Sequence, residues 1–101
     1  MIRNVVMGRL RAPEDESASA DDRARLQAAL AGIAALDLPG CLANHTGLDA
    51  GLRDGGWDFA ITNDWATVED YRAYDVDAEH NVYRAEVVAV AEQVARVQFE
   101  I

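Results

Sequence analysis

An α+β fold with one four-stranded antiparallel sheet, in the order β-α-β-β-α-β, is what the sequence predicts. Three observations carry that expectation. The run from Trp57 to Trp65 alternates cleanly, with Trp57, Phe59, Ile61, Asn63 and Trp65 on one face and Asp58, Ala60, Thr62 and Asp64 on the other. Leu26, Leu30, Ile33 and Leu36 recur at helical spacing. Tyr83, Val87, Val90 and Val94 do the same in the second half. At 101 residues the chain is one domain, 1–101, able to bury roughly two-thirds of its unfolded surface.

The elements follow in order. Ile2 to Arg11 is rich in β-branched residues and reads as the first strand, ending before Ala12-Pro13. Ile2, Asn4, Val6, Gly8 and Leu10 share one face; Arg3, Val5, Met7, Arg9 and Arg11 share the other. The acidic run Pro13 to Ala18 reads as a loop. Ser19 with Asp22 resembles a capping box, so the spacing predicts a helix to about Leu36, stopped by Leu38-Pro39-Gly40. Cys41 to Leu48 is the second strand, and the glycines from Gly51 to Gly56 mark a loop. Trp57 to Trp65 is the third strand. Thr67 with Asp70 starts a short helix to about Tyr74. Asp75-Val76-Asp77 interrupts it, and a longer helix is expected from Ala78 to Val94. Its apolar stripe extends back through His80, which therefore points to the core. Ala95 to Ile101 completes the sheet. This is the ferredoxin-like plan, with helices on one sheet face and the other bare.

The bare face is expected to mix Arg3, Arg9, Asp58 and Asp64 with Val5, Met7, Ala60 and Thr62. Arg and Asp can pair between the first and third strands. The apolar residues between the charges favour a second copy on this face, giving a twofold homodimer, over a lone solvated sheet.

Composition excludes several functions. The formal net charge is −9 and the pI is near 4.4, which argues against nucleic acid and anionic membranes as partners. No apolar run approaches a membrane span, and no signal peptide is read at the start, so the cytoplasm is the expected compartment. All nine basic residues are arginine, so no lysine exists to form a Schiff base or a P-loop. The lone Cys41 has no internal disulfide partner. Cys41 and His45, on one strand face, lie about 13 Å apart by strand rise, too far for one ion. No metal and no cofactor are expected. The acidic cluster Asp75, Asp77 and Glu79 reads as a solvated helix start more readily than as a cation site. The glycines fit no phosphate-binding fingerprint.

Several stretches together resemble the stress-responsive dimeric α+β barrel (Dabb) family. They are the opening MIRNVVMGRLR, the run GLDAGLRDGGWDFAITNDWATVEDYRAYDVDAEHNVYRAEV and the ending VARVQFEI. The resemblance covers nearly the whole chain. It rests on the order and lengths of the elements and on the Tyr-x5-His spacing of Tyr74 and His80. It implies a dimeric α+β barrel, two ferredoxin-like domains with their sheets face to face. The family includes plant stress proteins, a polyketide cyclase and a hydroxynitrile lyase. In the cyclase, a tyrosine and a histidine at this spacing form an acid–base pair between sheet and helices. The resemblance therefore makes Tyr74 and His80 the catalytic candidates, His80 as general base and Tyr74 orienting it or donating to an oxyanion. Asn4 stands where the family has a histidine, and Phe59 where the cyclase has another. Asp77-Ala78-Glu79-His80 replaces its HPAH. The antibiotic-biosynthesis monooxygenases share the fold plan, but the valine-rich last helix fits Dabb better.

The residues expected to line the cavity and bind a small hydrophobic molecule are Asn4, Val6, Phe59, Ile61, Asn63, Val68, Tyr71 and Tyr83. The two amides have alternatives, since they can hold a ligand carbonyl, bond each other or bond a helix end. His80 likewise is either a base in a dry cavity or a core-edge histidine bonded to Asn4, Tyr74 or a carbonyl. Two readings stay open: a small cofactor-free enzyme acting on a carbonyl-bearing aromatic or polyketide-like molecule, and a non-catalytic or stress-responsive dimer.

Overall fold

The computed structural model describes residues 1–101. Its elements are β1 (Ile2–Leu10), α1 (Glu16–Ala34), β2 (Cys41–Leu48), β3 (Phe59–Trp65), α2 (Val68–Asp75), α3 (Ala78–Val90) and β4 (Ala91–Glu100). The strands lie in the order β2-β3-β1-β4, every neighbouring pair antiparallel. The architecture is ferredoxin-like, as the alternation and the two helical stripes require.

The helices cover one sheet face. Leu26, Ala29, Leu30 and Ile33 of α1 pack with Phe59 and Ile61 of β3 and with Val87 and Val90 of α3. A second, smaller core gathers Ile2, Trp65 and Tyr74, with Val68 and Tyr71 packed against it. Gly8 is where β1 passes beneath Phe59: a Cβ there would lie 2.1 Å from the ring, so only glycine lets the ring lie flat on the strand.

Four boundaries differ from the expectation, each for a physical reason. Helix α1 starts three residues before Ser19, because Asp15 caps it by accepting from the Ser17 amide. Asp22 does not cap. It turns inward, buried, and takes two hydrogen bonds from Arg11, at 2.7 and 2.9 Å. Strand β3 starts at Phe59, not Trp57. The Asp58 carboxylate accepts from the Leu10 amide and breaks the alternation. The Trp57 ring lies instead under the Arg9 guanidinium, 4.4 Å away. Helix α3 ends at Val90, and the chain turns extended at Ala91. The ten-residue β4 thereby pairs along nearly all of β1, and Val94 packs on the core from a strand.

Of the charges expected on the helix-free face, Arg3 and Asp64 pair with each other, while Arg9 and Asp58 are taken up by the Trp57 ring and the Leu10 amide. Arg3 and Asp64 face each other in register and form a two-pronged ion pair, at 2.8 and 2.9 Å. Val5 stands between Thr62 and Val97, and Met7 between Ala60 and Ala95. Met7, Val97 and Phe99 are exposed there. A shallow depression of about 430 Å³, bordered by Met7, His45, Trp57 and Thr62, opens on this side.

Candidate functional site

Four side-chain amides cross the sheet in a row, one per strand: Asn44, Asn63, Asn4 and Gln98 are in-register partners. Asn63 is saturated. Its Oδ1 accepts from Asn4 and from the Trp65 indole, at 2.9 and 2.7 Å. Its Nδ2 donates to Asn44 and to the Tyr74 hydroxyl, at 3.4 and 3.2 Å. Asn4 also accepts from Gln98, at 3.0 Å, and Asn44 donates to the Ile33 carbonyl of α1. Buried amides are thus satisfied within the protein, and Asn63 has no hydrogen-bonding capacity left for a ligand. Asn4 keeps one donor hydrogen.

A cavity lies between this part of the sheet and the helices. Of the expected residues, Asn4, Val6, Ile61, Tyr71, Tyr74 and His80 line it. Ile33, Asp75, Arg84, Val87, Val94 and Arg96 complete much of the wall. Phe59, Asn63, Val68 and Tyr83 do not border it. Phe59 is 3% exposed, locked in the larger core, and Val68 packs on the smaller one. Tyr83 packs in the larger core and reaches Glu79. The space within it is only about 40 Å³, room for no more than a few waters.

His80 sits on the first turn of α3. Asp77 caps that helix by accepting from the His80 amide. The ring is 5% exposed and stacks on Tyr74, with centroids 3.8 Å apart. Nδ1 lies 2.9 Å from the Tyr74 carbonyl oxygen. A carbonyl only accepts, so Nδ1 carries the hydrogen and donates it. The Arg84 guanidinium, 3.3 Å from the same nitrogen, is then a neighbouring charge rather than a bond partner. Nε2 is left with its lone pair and makes no hydrogen bond within the chain. Burial, helped by Arg84, lowers the His80 pKa below its ordinary value, against the opposing pull of the Tyr74 carbonyl, Asp75 and Asp77.

Tyr74 and His80 are therefore brought together, but by stacking and a main-chain bond. The Tyr74 hydroxyl goes to Asn63, and its own hydrogen has no acceptor in the chain. Burial raises its pKa, so at neutral pH it is a donor. The acidic cluster is divided among separate tasks. Asp75 pairs with Arg84, Asp77 caps α3 and Glu79 meets Tyr83. Cys41 and His45 fall on opposite sheet faces, because an irregularity between Cys41 and Ala43 shifts the register. The sequence reading placed them on one face. No group of three or more His, Cys, Asp or Glu side chains comes together to hold a metal.

Arg84 and Arg96 were not among the expected site residues. Arg84 had a signal, since it stands one helical turn after His80 on the same face. Arg96 reaches the cavity from β4 opposite Val6, a placement that only strand pairing sets.

Fold and site define a class, the ferredoxin-like α+β domains with a histidine in a small cavity beneath the helices. No family model matches the chain, and no curated protein does. Solved structures do. A dimeric ferredoxin-like protein of unknown function from Thermobifida fusca is 26% identical, with a TM-score of 0.82, over 99% of this chain and 90% of that one. A Dabb family protein with a ferredoxin-like fold from Mesorhizobium loti is 17% identical, with a TM-score of 0.71, over 99% and 95%. A hydroxynitrile lyase from Passiflora edulis is 18% identical, with a TM-score of 0.66, over 99% and 92%. In fold the chain is Dabb-like.

Proposed function

We propose that this Dabb-like chain forms a homodimer across the helix-free sheet face. Between sheet and helices it takes a small hydrophobic or aromatic carbonyl-bearing ligand, on which His80 acts as general base. One observation carries the reading. The Tyr74 carbonyl holds the proton on Nδ1, leaving Nε2 as an unpartnered lone pair on a neutral ring that lines the cavity. Such a nitrogen accepts a proton from a C–H or O–H group beside the ligand's carbonyl. The Tyr74 hydroxyl then donates a hydrogen bond to the oxyanion that develops. Cyclase-like chemistry uses this base on a C–H, whose electron pair passes to the carbonyl oxygen as an enolate; lyase-like chemistry uses it on an O–H, whose carbon becomes the carbonyl as the leaving anion departs. The Passiflora edulis protein of the same fold is a lyase, and the Thermobifida fusca protein is a dimer. Both facts support the reading by likeness of fold.

A second reading, a non-catalytic or stress-responsive dimer, is favoured by the cavity's size. Small-molecule pockets usually enclose roughly 300 Å³ or more, against about 40 Å³ here. Catalysis therefore requires the α3 side chains at the mouth, Arg84 and Val88, to move aside. NMR titration of the His80 ring against a panel of aromatic ketones and polyketide-like compounds separates the two. The catalytic reading expects its ring resonances to shift on binding and a His80→Gln variant to bind without turnover. Resonances that ignore every compound leave the non-catalytic dimer.

A further inference from the structure

We infer that the ligand of this cavity is an anion, a small carboxylate with an apolar or aromatic body, recognised at the mouth by Arg96 with help from Arg84. This rests on the cavity being the ligand site. The chain has twice as many acidic residues as arginines, and its arginines are mostly matched. Arg3, Arg11, Arg25 and Arg84 form ion pairs, and Arg9 lies over the Trp57 ring. Arg96 borders the cavity and has no ion-pair or hydrogen-bond partner.

The lining carries Arg84 and Arg96 against the single carboxylate of Asp75, so it is locally cationic in a protein of net charge −9. Arg84 spends one nitrogen, Nη2, on the Asp75 carbonyl and carboxylate; its Nη1 and Nε keep free hydrogens. Tyr71 lines the same cavity as Arg84, Arg96 and Asp75. A guanidinium offers paired donors in a plane that matches a carboxylate. Arg96 lies opposite Val6 in the sheet. With the mouth opened at Val88, a carboxylate held there directs its apolar body inward, against Val6, Val87 and Val94 and towards His80.

The test uses the full chain and two matched pairs of probes, benzoate with benzamide and phenylacetate with phenylacetamide. Binding is read by NMR at the His80 and Tyr71 rings. The acids are expected to bind at least about tenfold tighter than the amides, and only their affinity should fall in about 0.5 M salt. Arg96→Gln should bring acid and amide level, while Arg53→Gln keeps the preference. The inference is overturned by equal binding of acid and amide, by a preference insensitive to salt, or by one that survives Arg96→Gln. Equal binding leaves the ligand site intact and removes only its charge selectivity. No response to either member of a pair removes the ligand site and the inference together.

Discussion

At the scale of residues, a main-chain carbonyl fixes the proton of His80, and this makes the ring's behaviour with pH predictable. Its pKa is lowered in the fold from 6.5, so on acidification the unfolded chain takes up that proton first. The stability gained from a neutral His80 is complete above about pH 6.5 and is lost as the pH falls towards the folded value. Asp22 and Asp64, whose pKa values are lowered by Arg11 and Arg3, hold their contributions until lower pH. The urea midpoint should therefore decline as the pH falls below about 6.5, and His80→Gln should flatten that decline. Parallel profiles for the two proteins would remove His80 as its source. The histidine's place on the core side was legible from the apolar stripe of its helix. Its tautomer was not, because the partner is a backbone atom of α2, which leaves no trace in residue types.

At the scale of elements, the amide row ties all four strands to α1 and α2 at the site. Asn63 links β2, β1, the Trp65 indole and the Tyr74 hydroxyl, and it is 1% exposed. Asn63→Leu leaves the Trp65 donor, the Asn4 amide and the Tyr74 hydroxyl short of partners away from water. It should cost on the order of 3 kcal/mol in denaturant unfolding. A loss under about 1 kcal/mol would mean that water replaces the bonds. The alternation of β1 and β3 put Asn4 and Asn63 on the helix-facing side in advance. Their mutual bond depends on register, which alternation alone leaves open by steps of two. The switch from α3 to β4 was hidden for a related reason. The run from Glu86 to Ile101 has apolar residues that satisfy either period, and pairing with β1 settles it at Ala91.

At the scale of the molecule, the helix-free face leaves Met7, Val97 and Phe99 exposed among Val5, Ala60 and the Arg3–Asp64 pair. Burying about 800 Å² of such a surface per partner suits a stable dimer. Met7→Asp places an uncompensated charge at the centre of the proposed contact and should yield monomers in sedimentation at concentrations where the parent associates. Asp64→Arg sets a second arginine beside Arg3 and should weaken association in the same assay. Variants that associate like the parent would move the interface elsewhere.

The sequence by itself determined the order of elements, the faces of β1 and of β3 from Phe59 on, the inward position of His80 and the exclusion of a lysine-based mechanism. Each follows from local periodicity or from residue identity, which act over a few residues. Tertiary structure alone decided that Asn63 is consumed by the row, that Phe59 and Tyr83 pack in the core, and that Arg96 joins Arg84 at the cavity. Those outcomes depend on register and on contacts between strands far apart in the chain. The same residues in a sheet slipped by two would present a different cavity.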